Sequence, residues 1–215
     1  MKLTTYIKMF FTVLVLVSCA RSENYIIETD LSLLMPDTIN GETEKKSQER
    51  SREFHKHLLS NTISKTIPDT EIFTVDGKKL NLRDVLNTET IIIASDNHCS
   101  RGLESLTHDF PEALKKLQHE ISDIQIICLF KRKKSDLENP VAVNKRLNEL
   151  KLIYKTAYII DENQANQINL FASTTRLYVN KHKVVTNIGI GTSLIENGLL
   201  EEIKENTGIN NALKY

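Results

Sequence analysis

Cysteine is scarce in this chain of 215 residues, which contains only Cys19, Cys99 and Cys128. So few cysteines exclude the disulfide scaffold that stabilises many small secreted domains. An excess of charge of one sign is also missing, because 28 basic residues balance 28 acidic ones. A net charge near zero does not indicate nucleic-acid binding, so we expect no nucleic-acid partner.

The one pronounced apolar run lies close to the N-terminus. Residues 9–17 read MFFTVLVLV, and Lys2 and Lys8 precede this run. Positive charge followed by an apolar stretch is the order of a secretory signal. The run is far shorter than the ~20 residues that a membrane-spanning helix needs. We therefore expect a cleaved signal peptide over residues 1–18 and no transmembrane segment later in the chain.

The end of the apolar run is similar to a lipid-attachment motif. Leu16, Val17, Ser18 and Cys19 resemble the bacterial lipobox, which implies a diacylglycerol on Cys19, cleavage before it, and usually a third acyl chain. Two or more chains give a stable membrane anchor. The alternative is an ordinary signal peptide with a chance cysteine. The lipobox resemblance implies a bacterial envelope lipoprotein that faces the periplasm or the cell surface.

Residues 19–64 differ in composition from the rest of the chain. The segment 42–56 is dense in charge, and Phe54, Leu58 and Leu59 form a modest apolar stripe. It is interpreted either as an exposed helix or as a flexible spacer between lipid and domain. The folded domain is expected over residues 65–215.

Within that domain, strands and helices alternate. Asp76–Gly77 predicts the turn of a hairpin, and Thr90–Ser95 reads as a buried strand. Pro111 predicts a kink or restart in a helix over 103–121, with Asp109 as its cap. Further elements are predicted as strands at 124–130, 157–160, 176–179 and 184–190 and as helices at 141–152, 162–170 and 193–206. The run Lys131–Lys134 is expected to form a solvated loop. This order predicts an α/β fold with a mixed sheet, helices on both faces and an N-terminal hairpin.

Three pieces of the chain, in order, resemble the thioredoxin-like superfamily, in particular its membrane-tethered thiol–disulfide oxidoreductases, whose layout peroxiredoxins share. They are the Pro-Asp and Asp-Gly-Lys segment at 67–85, the buried strand that leads to Cys99, and the strand–turn–strand at 174–185. The resemblance implies that Cys99 opens a helix whose N-terminus favours the thiolate, with help from Arg101.

Two features depart from that pattern. Gly102 stands where the resolving cysteine of Cys-x-x-Cys belongs, and Ser173 stands where the family usually has a cis-proline. The resemblance implies a substrate groove beside Ser173, Thr174 and Arg101. Peroxidase chemistry fits poorly, because Asp96 occupies the position where peroxiredoxins carry Thr or Ser.

The residues leave two functions open. In one, Cys99 is a single nucleophilic thiol, and an envelope protein or peptide supplies the partner thiol or disulfide. In the other, Cys99 is a remnant, and the domain is a redox-inactive module that binds a peptide or protein. Whether the chain is an enzyme therefore stays open. Cys128 is interpreted as a buried core residue, and we expect neither a metal site nor a cofactor.

Overall fold

One mixed sheet organises the computed structural model, which describes residues 24–34, 43–96, 108–117, 123–132, 156–171, 174–190 and 196–207. Within these ranges the sheet has seven strands in the order β2-β1-β5-β4-β3-β6-β7. The three central strands β5, β4 and β3 are parallel, and the pairs on either side are antiparallel. The strands are β1 (Glu71–Thr74), β2 (Lys79–Asn81), β3 (Thr90–Asp96), β4 (Gln125–Arg132), β5 (Thr156–Asp161), β6 (Arg176–Val179) and β7 (Val185–Gly189).

Helices cover both faces of this sheet, as the sequence predicts. The described helices are α1 (Glu44–Thr62), α2 (Leu82–Val85), α3 (Phe110–Lys116), α4 (Glu162–Gln167) and α5 (Glu196–Thr207), with a 3-10 turn at Leu31–Leu34. Apolar side chains of α1 and α4 pack into the core on one face. Those of α3 and α5 form the core on the other face.

Strand β3 shows why its sequence is apolar without alternation. Ile92 and Ala94 belong to the core under α1, whereas Ile91 and Ile93 belong to the core under α3. All four residues are buried. A parallel strand that is covered on both faces needs apolar residues at every position, so the predicted central strand is confirmed.

Two hairpins that the sequence predicts are present. β1 and β2 pair around a turn in which Gly77 has φ of +88°, a region that glycine enters without a steric penalty. β6 and β7 are joined by a turn in which the Asn180 side chain accepts hydrogen bonds from the amides of His182 and Val184, at 2.9 and 3.1 Å. Lys183 adopts φ of +65° in that turn.

The expected loop at residues 131–134 is wrong at its beginning. Lys131 and Arg132 continue β4 and are buried, with 7% and 5% of their surface exposed. They form a strand because β3 flanks β4 to Lys131 and β5 flanks it to Arg132. Lys133 and Lys134 lie outside the described residues, as does the helix predicted for 141–152.

Pro111 lies in the first turn of helix α3, which begins at Phe110, where a missing N–H costs least. The part of the predicted helix before residue 108 lies outside the described residues, so the predicted kink or restart stays a prediction. The capping role predicted for Asp109 is wrong, because Asp109 has helical backbone angles and its side chain makes no capping hydrogen bond.

The packed structure begins before residue 65. Phe54 and Leu58 of α1 are buried in the same core as the sheet, so α1 is part of the domain's packing. Residues 24–30, here called the strap, also pack on it, with Ile26 buried. The strap forms a parallel bridge from Tyr25 to Thr66. These segments are held by the domain over most of the region that was expected to be a spacer.

Candidate functional site at the end of strand β3

The sequence-predicted site residues are placed only in part. Cys19, Cys99, Arg101 and Ser173 lie outside the described residues. Thr174 and the strand that leads to Cys99 lie inside them. The site is therefore built from the elements that surround the end of β3.

The carboxyl ends of the three parallel strands meet at one edge. Asp96, the last residue of β3, is in register with Lys131 of β4, and Arg132 is in register with Asp161 of β5. In α/β sheets, ligands bind outside this kind of edge. The Lys131 ammonium donates to the carbonyl of Phe171, which ties β4 to the chain just before β6.

The segment before β6 is fastened to the end of β3. The Thr174 amide donates to the Ala94 carbonyl at 2.7 Å, and the Ala94 amide donates to the Thr175 carbonyl at 2.8 Å. These two bonds extend the antiparallel pairing of β3 and β6 beyond its last registered pair, Ile93 with Arg176. Thr174 and Thr175 are thereby held beside the end of β3.

Thr174 has an unusual backbone conformation. Its φ is +64° and only 1% of its surface is exposed. A β-branched residue is rare in this left-handed region, because its side chain crowds the backbone. Surrounding contacts must therefore fix the conformation, and strain of this kind is concentrated at functional sites.

The largest of those contacts comes from Arg176, which is buried with 1% of its surface exposed. Its guanidinium donates two hydrogen bonds to the Glu202 carboxylate of α5, from Nε to Oε1 and from Nη2 to Oε2, both 2.7 Å long. The third nitrogen, Nη1, donates to the Thr174 carbonyl at 2.9 Å. A planar guanidinium can bind a carboxylate and a carbonyl at once, because its N–H groups point in several fixed directions. Arg176 thus connects the strained residue to the last described helix.

Two aromatic residues complete what we call the Arg176 cluster, formed by Arg176, Glu202, Tyr178 and Phe110. The Tyr178 hydroxyl donates to Glu202 Oε1 at 2.7 Å, and the guanidinium lies 5.7 Å from the centre of the Phe110 ring. Burial, and next the Glu202 charge, raise the pKa of Tyr178. The tyrosine stays a neutral donor, and both Glu202 oxygens are satisfied.

Sequence reasoning placed Arg176 in a strand but missed the cluster. A charged residue that opens an apolar strand, RLYV, is the signal that was available. Charged residues are almost never fully buried unless they are paired. The partner could not be named, because Glu202 lies 26 residues later on a helix whose rotation only the fold defines.

Cys128 is the core residue that the sequence predicts. It is fully buried, it is in register with Ile93 of β3, and its thiol is free. Burial raises the pKa of the Cys128 thiol, which keeps it protonated and unreactive.

One other polar group is buried at the edge. Within the described residues, Ser95 is fully buried and its hydroxyl has no hydrogen-bond partner. Across the same ranges, no three His, Cys, Asp or Glu side chains gather in a way that could hold a metal ion. Nor does any described helix combine the length and apolar character that crossing a bilayer requires.

Comparison with solved structures agrees with this architecture. A candidate electron transfer protein from Aquifex aeolicus superposes with a TM-score of 0.52 at 13% identity, over 68% of this chain and 95% of that one. A thiol:disulfide interchange protein from a Bacteroides species superposes with a TM-score of 0.48 at 9% identity, over 67% of this chain and 89% of that one. The α/β fold that the sequence predicts, a mixed sheet with helices on both faces and an N-terminal hairpin, is present in the described residues.

Among the other similar structures is an exposed lipoprotein thioredoxin from Streptococcus pneumoniae, with a TM-score of 0.44 at 17% identity over 64% of this chain and 99% of that one. No family model and no curated protein sequence matches the chain. The likeness of this chain to known proteins is therefore one of fold. Any activity must be argued from its own residues.

Proposed function

We propose that this chain is a membrane-anchored envelope lipoprotein whose thioredoxin-like domain exchanges disulfides through the single thiol of Cys99. The observation that carries the proposal is the pair of bonds between Ala94 and the segment Thr174–Thr175. They support a binding edge beside β3, and Cys99 follows that strand by three residues. Arg176, which is paired with Glu202, donates to the Thr174 carbonyl and so helps to hold the strained residue at this edge.

Lys131 and Arg132 stand at the carboxyl end of β4, and Lys131 is in register with Asp96. The proposed exchange requires a lowered thiol pKa at Cys99, because the thiolate is the nucleophile. The thiol pKa of Cys99 is therefore the quantity that a test of this proposal must measure.

The chain needs an external thiol to finish the exchange. Cys128 is buried within the sheet, and Gly102 replaces the second cysteine of the motif. The Cys99 thiolate attacks one sulfur of a substrate disulfide, and the other sulfur leaves as a thiolate that takes a proton from water. A second thiolate, from a small thiol or a partner protein, attacks the substrate sulfur of the mixed disulfide. Cys99 leaves as thiolate, so the net reaction exchanges thiol for disulfide without net oxidation.

Thiol titration tests this proposal on the full chain. The rate of Cys99 alkylation is measured against pH, and disulfide reduction with an added small thiol is compared with that of Cys99→Ser. We expect a pKa below the ordinary ~8.5, trapped mixed disulfides, and turnover that Cys99→Ser loses. Cys128→Ala is the matched control and should keep both properties.

An unreactive Cys99 thiol would favour the second function, that of a redox-inactive binding module. A Cys99 pKa near ~8.5, with no turnover above the Cys99→Ser background, would overturn the exchange mechanism. The domain would then be a redox-inactive module, and its partner would bind at the same edge. Peptide binding that Cys99→Ser leaves intact would identify that case.

The lipid anchor is tested separately from the chemistry. Cells that express the full chain are fed a labelled fatty acid, and the membrane fraction is compared with that of Cys19→Ala. We expect acyl label and membrane retention in the parent chain, and neither in Cys19→Ala. Label that persists in Cys19→Ala would contradict attachment at that residue.

A further inference from the structure

We infer that the strap faces the lipid bilayer, so that the reactive end of β3 points away from the membrane. This inference rests on the proposed lipid at Cys19 and adds an orientation and a contact surface to it. The surface, called here the strap face, consists of Tyr25, Ile27, Lys65 and Arg83.

The strap has the alternation of a strand that is covered on one side. Ile26 is buried, while Tyr25 and Ile27 on either side of it are 41% and 54% exposed. Few large apolar side chains in the described residues are this exposed, and two of them lie within three residues here. The strap therefore presents an apolar, aromatic edge outward.

The length of chain to the anchor limits what can cover this edge. The Asn24 carbonyl accepts from the Thr66 amide at 2.8 Å, and its side chain accepts from Lys65 Nζ at 2.6 Å. Asn24 is thus bound to the domain five residues after Cys19. Five residues span at most about 18 Å when fully extended. A lipid on Cys19 consequently keeps the strap face close to the bilayer surface.

The strap enters at the end of the sheet opposite to the carboxyl end of β3. Tyr25 bridges Thr66, and Thr66 bridges Val184. Val184 follows the turn after Val179, which pairs with Thr90 at the beginning of β3. β3 then runs about 20 Å to Asp96. An anchor on the strap side thus directs the carboxyl end of β3 outward, where a soluble partner can reach it.

The chemistry of the strap face suits a headgroup layer. Arg83 Nη1 donates to the Tyr25 hydroxyl at 3.2 Å, and the guanidinium lies 5.7 Å from the centre of that ring. Tyrosine, with one apolar and one polar end, is favoured at membrane interfaces, and Lys65 and Arg83 add positive charge for anionic lipids. The strap also carries two exposed acidic residues, Glu28 directly after Ile27 and Asp30.

Site-directed labelling of the acylated full chain tests the orientation. Ile27→Cys is made in a Cys99→Ser background, and the chain is reconstituted into vesicles of phosphatidylethanolamine and phosphatidylglycerol. A water-soluble maleimide is applied before and after detergent. We expect labelling of Ile27→Cys to be about fivefold slower in vesicles than in detergent, because apolar side chains insert at the interface. Glu201→Cys, on an exposed position of α5, is the control and should change less than about twofold.

The outcomes separate the two proposals. Equal labelling of both positions in acylated, vesicle-bound protein would overturn the orientation and leave the anchor intact. Protection in native membranes but not in pure vesicles would mean that a protein covers the strap face, which also overturns it. Loss of acyl label would overturn the anchor, and the orientation with it.

Discussion

The strap and the Arg176 cluster both join segments that are distant in sequence. The strap is held by the neutral amide of Asn169, whereas the Arg176 cluster is held by charged side chains. Asn169 holds the strap with a neutral side chain: its Oδ1 accepts from the Thr29 amide at 2.9 Å, and its Nδ2 donates to the Ile27 carbonyl at 3.0 Å and to the Thr62 hydroxyl at 2.7 Å. The Arg176 cluster joins β6 to α5 with full charges.

The difference lies in what happens when one partner is lost. A neutral amide that loses a partner leaves a modest desolvation penalty. A buried guanidinium that loses its carboxylate is an uncompensated charge in the protein interior, and the loss of stability is far larger. Loss of a strap partner should therefore cost less stability than loss of a partner in the Arg176 cluster.

Glu202→Ala is expected to have the largest effect. It leaves the Arg176 guanidinium buried without its carboxylate and removes the acceptor of the Tyr178 hydroxyl. The free energy of unfolding should fall by about 4 kcal/mol, measured by urea denaturation. Glu201→Ala on the exposed side of α5 should change it by less than about 0.5 kcal/mol. A loss for Glu202→Ala as small as that of the control would show that the ion pair adds little.

Asn169→Ala is expected to cause the second largest loss in the free energy of unfolding. It removes two side-chain bonds to the strap and one to Thr62 of α1, and it places alanine at φ of +60°. The free energy of unfolding should therefore fall by about 3 kcal/mol. Limited proteolysis should then cut the strap before the sheet. Asn61→Ala removes one side-chain bond to Thr29 and should cost about 1 kcal/mol. Equal losses in both variants would mean that the strap does not depend on Asn169.

Gly189→Ala should have a smaller effect, through crowding of the Arg176 cluster. A methyl group there would overlap Glu202 Oε1 and lie 2.7 Å from Arg176 Nη2. We expect a loss of about 2 kcal/mol in the free energy of unfolding. In a Glu202→Ala background the added loss should shrink, because the overlapping atom is gone. Additive losses in the double variant would place the crowding elsewhere.

The smallest effect concerns Cys128, which lies in the core between the two regions. Its pKa is raised above the ordinary value of 9.0 by burial, so the unfolded chain loses this proton first as pH rises. Stability should be complete below pH 9 and decline above it, by about 1.4 kcal/mol at pH 10 relative to Cys128→Ala. Urea denaturation of both proteins at pH 8 and pH 10 measures the difference. Parallel pH profiles would contradict a protonated Cys128.

Much of the fold could be predicted because its signals are local. The apolar run of β3, the Asp76–Gly77 turn and the Asn180 turn each depend on neighbouring residues. The Arg176 cluster and the strap could not be predicted, since each requires the rotation or register of elements far along the chain. The prediction of a solvated loop at Lys131 and Arg132 was wrong for the same reason. Their charge predicts exposure to solvent, and only the flanking strands explain their burial.

The candidate site could likewise be predicted only in part. Thr174 could be located from the order of β6 and the segment before it, because strand order brings that segment beside β3. Its left-handed backbone could not be foreseen, because threonine has no preference for such angles. The carbonyl contact from Arg176 that fixes those angles is a tertiary one.

The strap also sets an order of assembly. Thr29 and Asn169 are 140 residues apart, so during synthesis the beginning of the strap emerges long before its partner exists. Closing so large a loop is entropically unfavourable until the sheet has already brought the two ends together. The contacts of the strap with Asn169 are accordingly expected to form after the sheet.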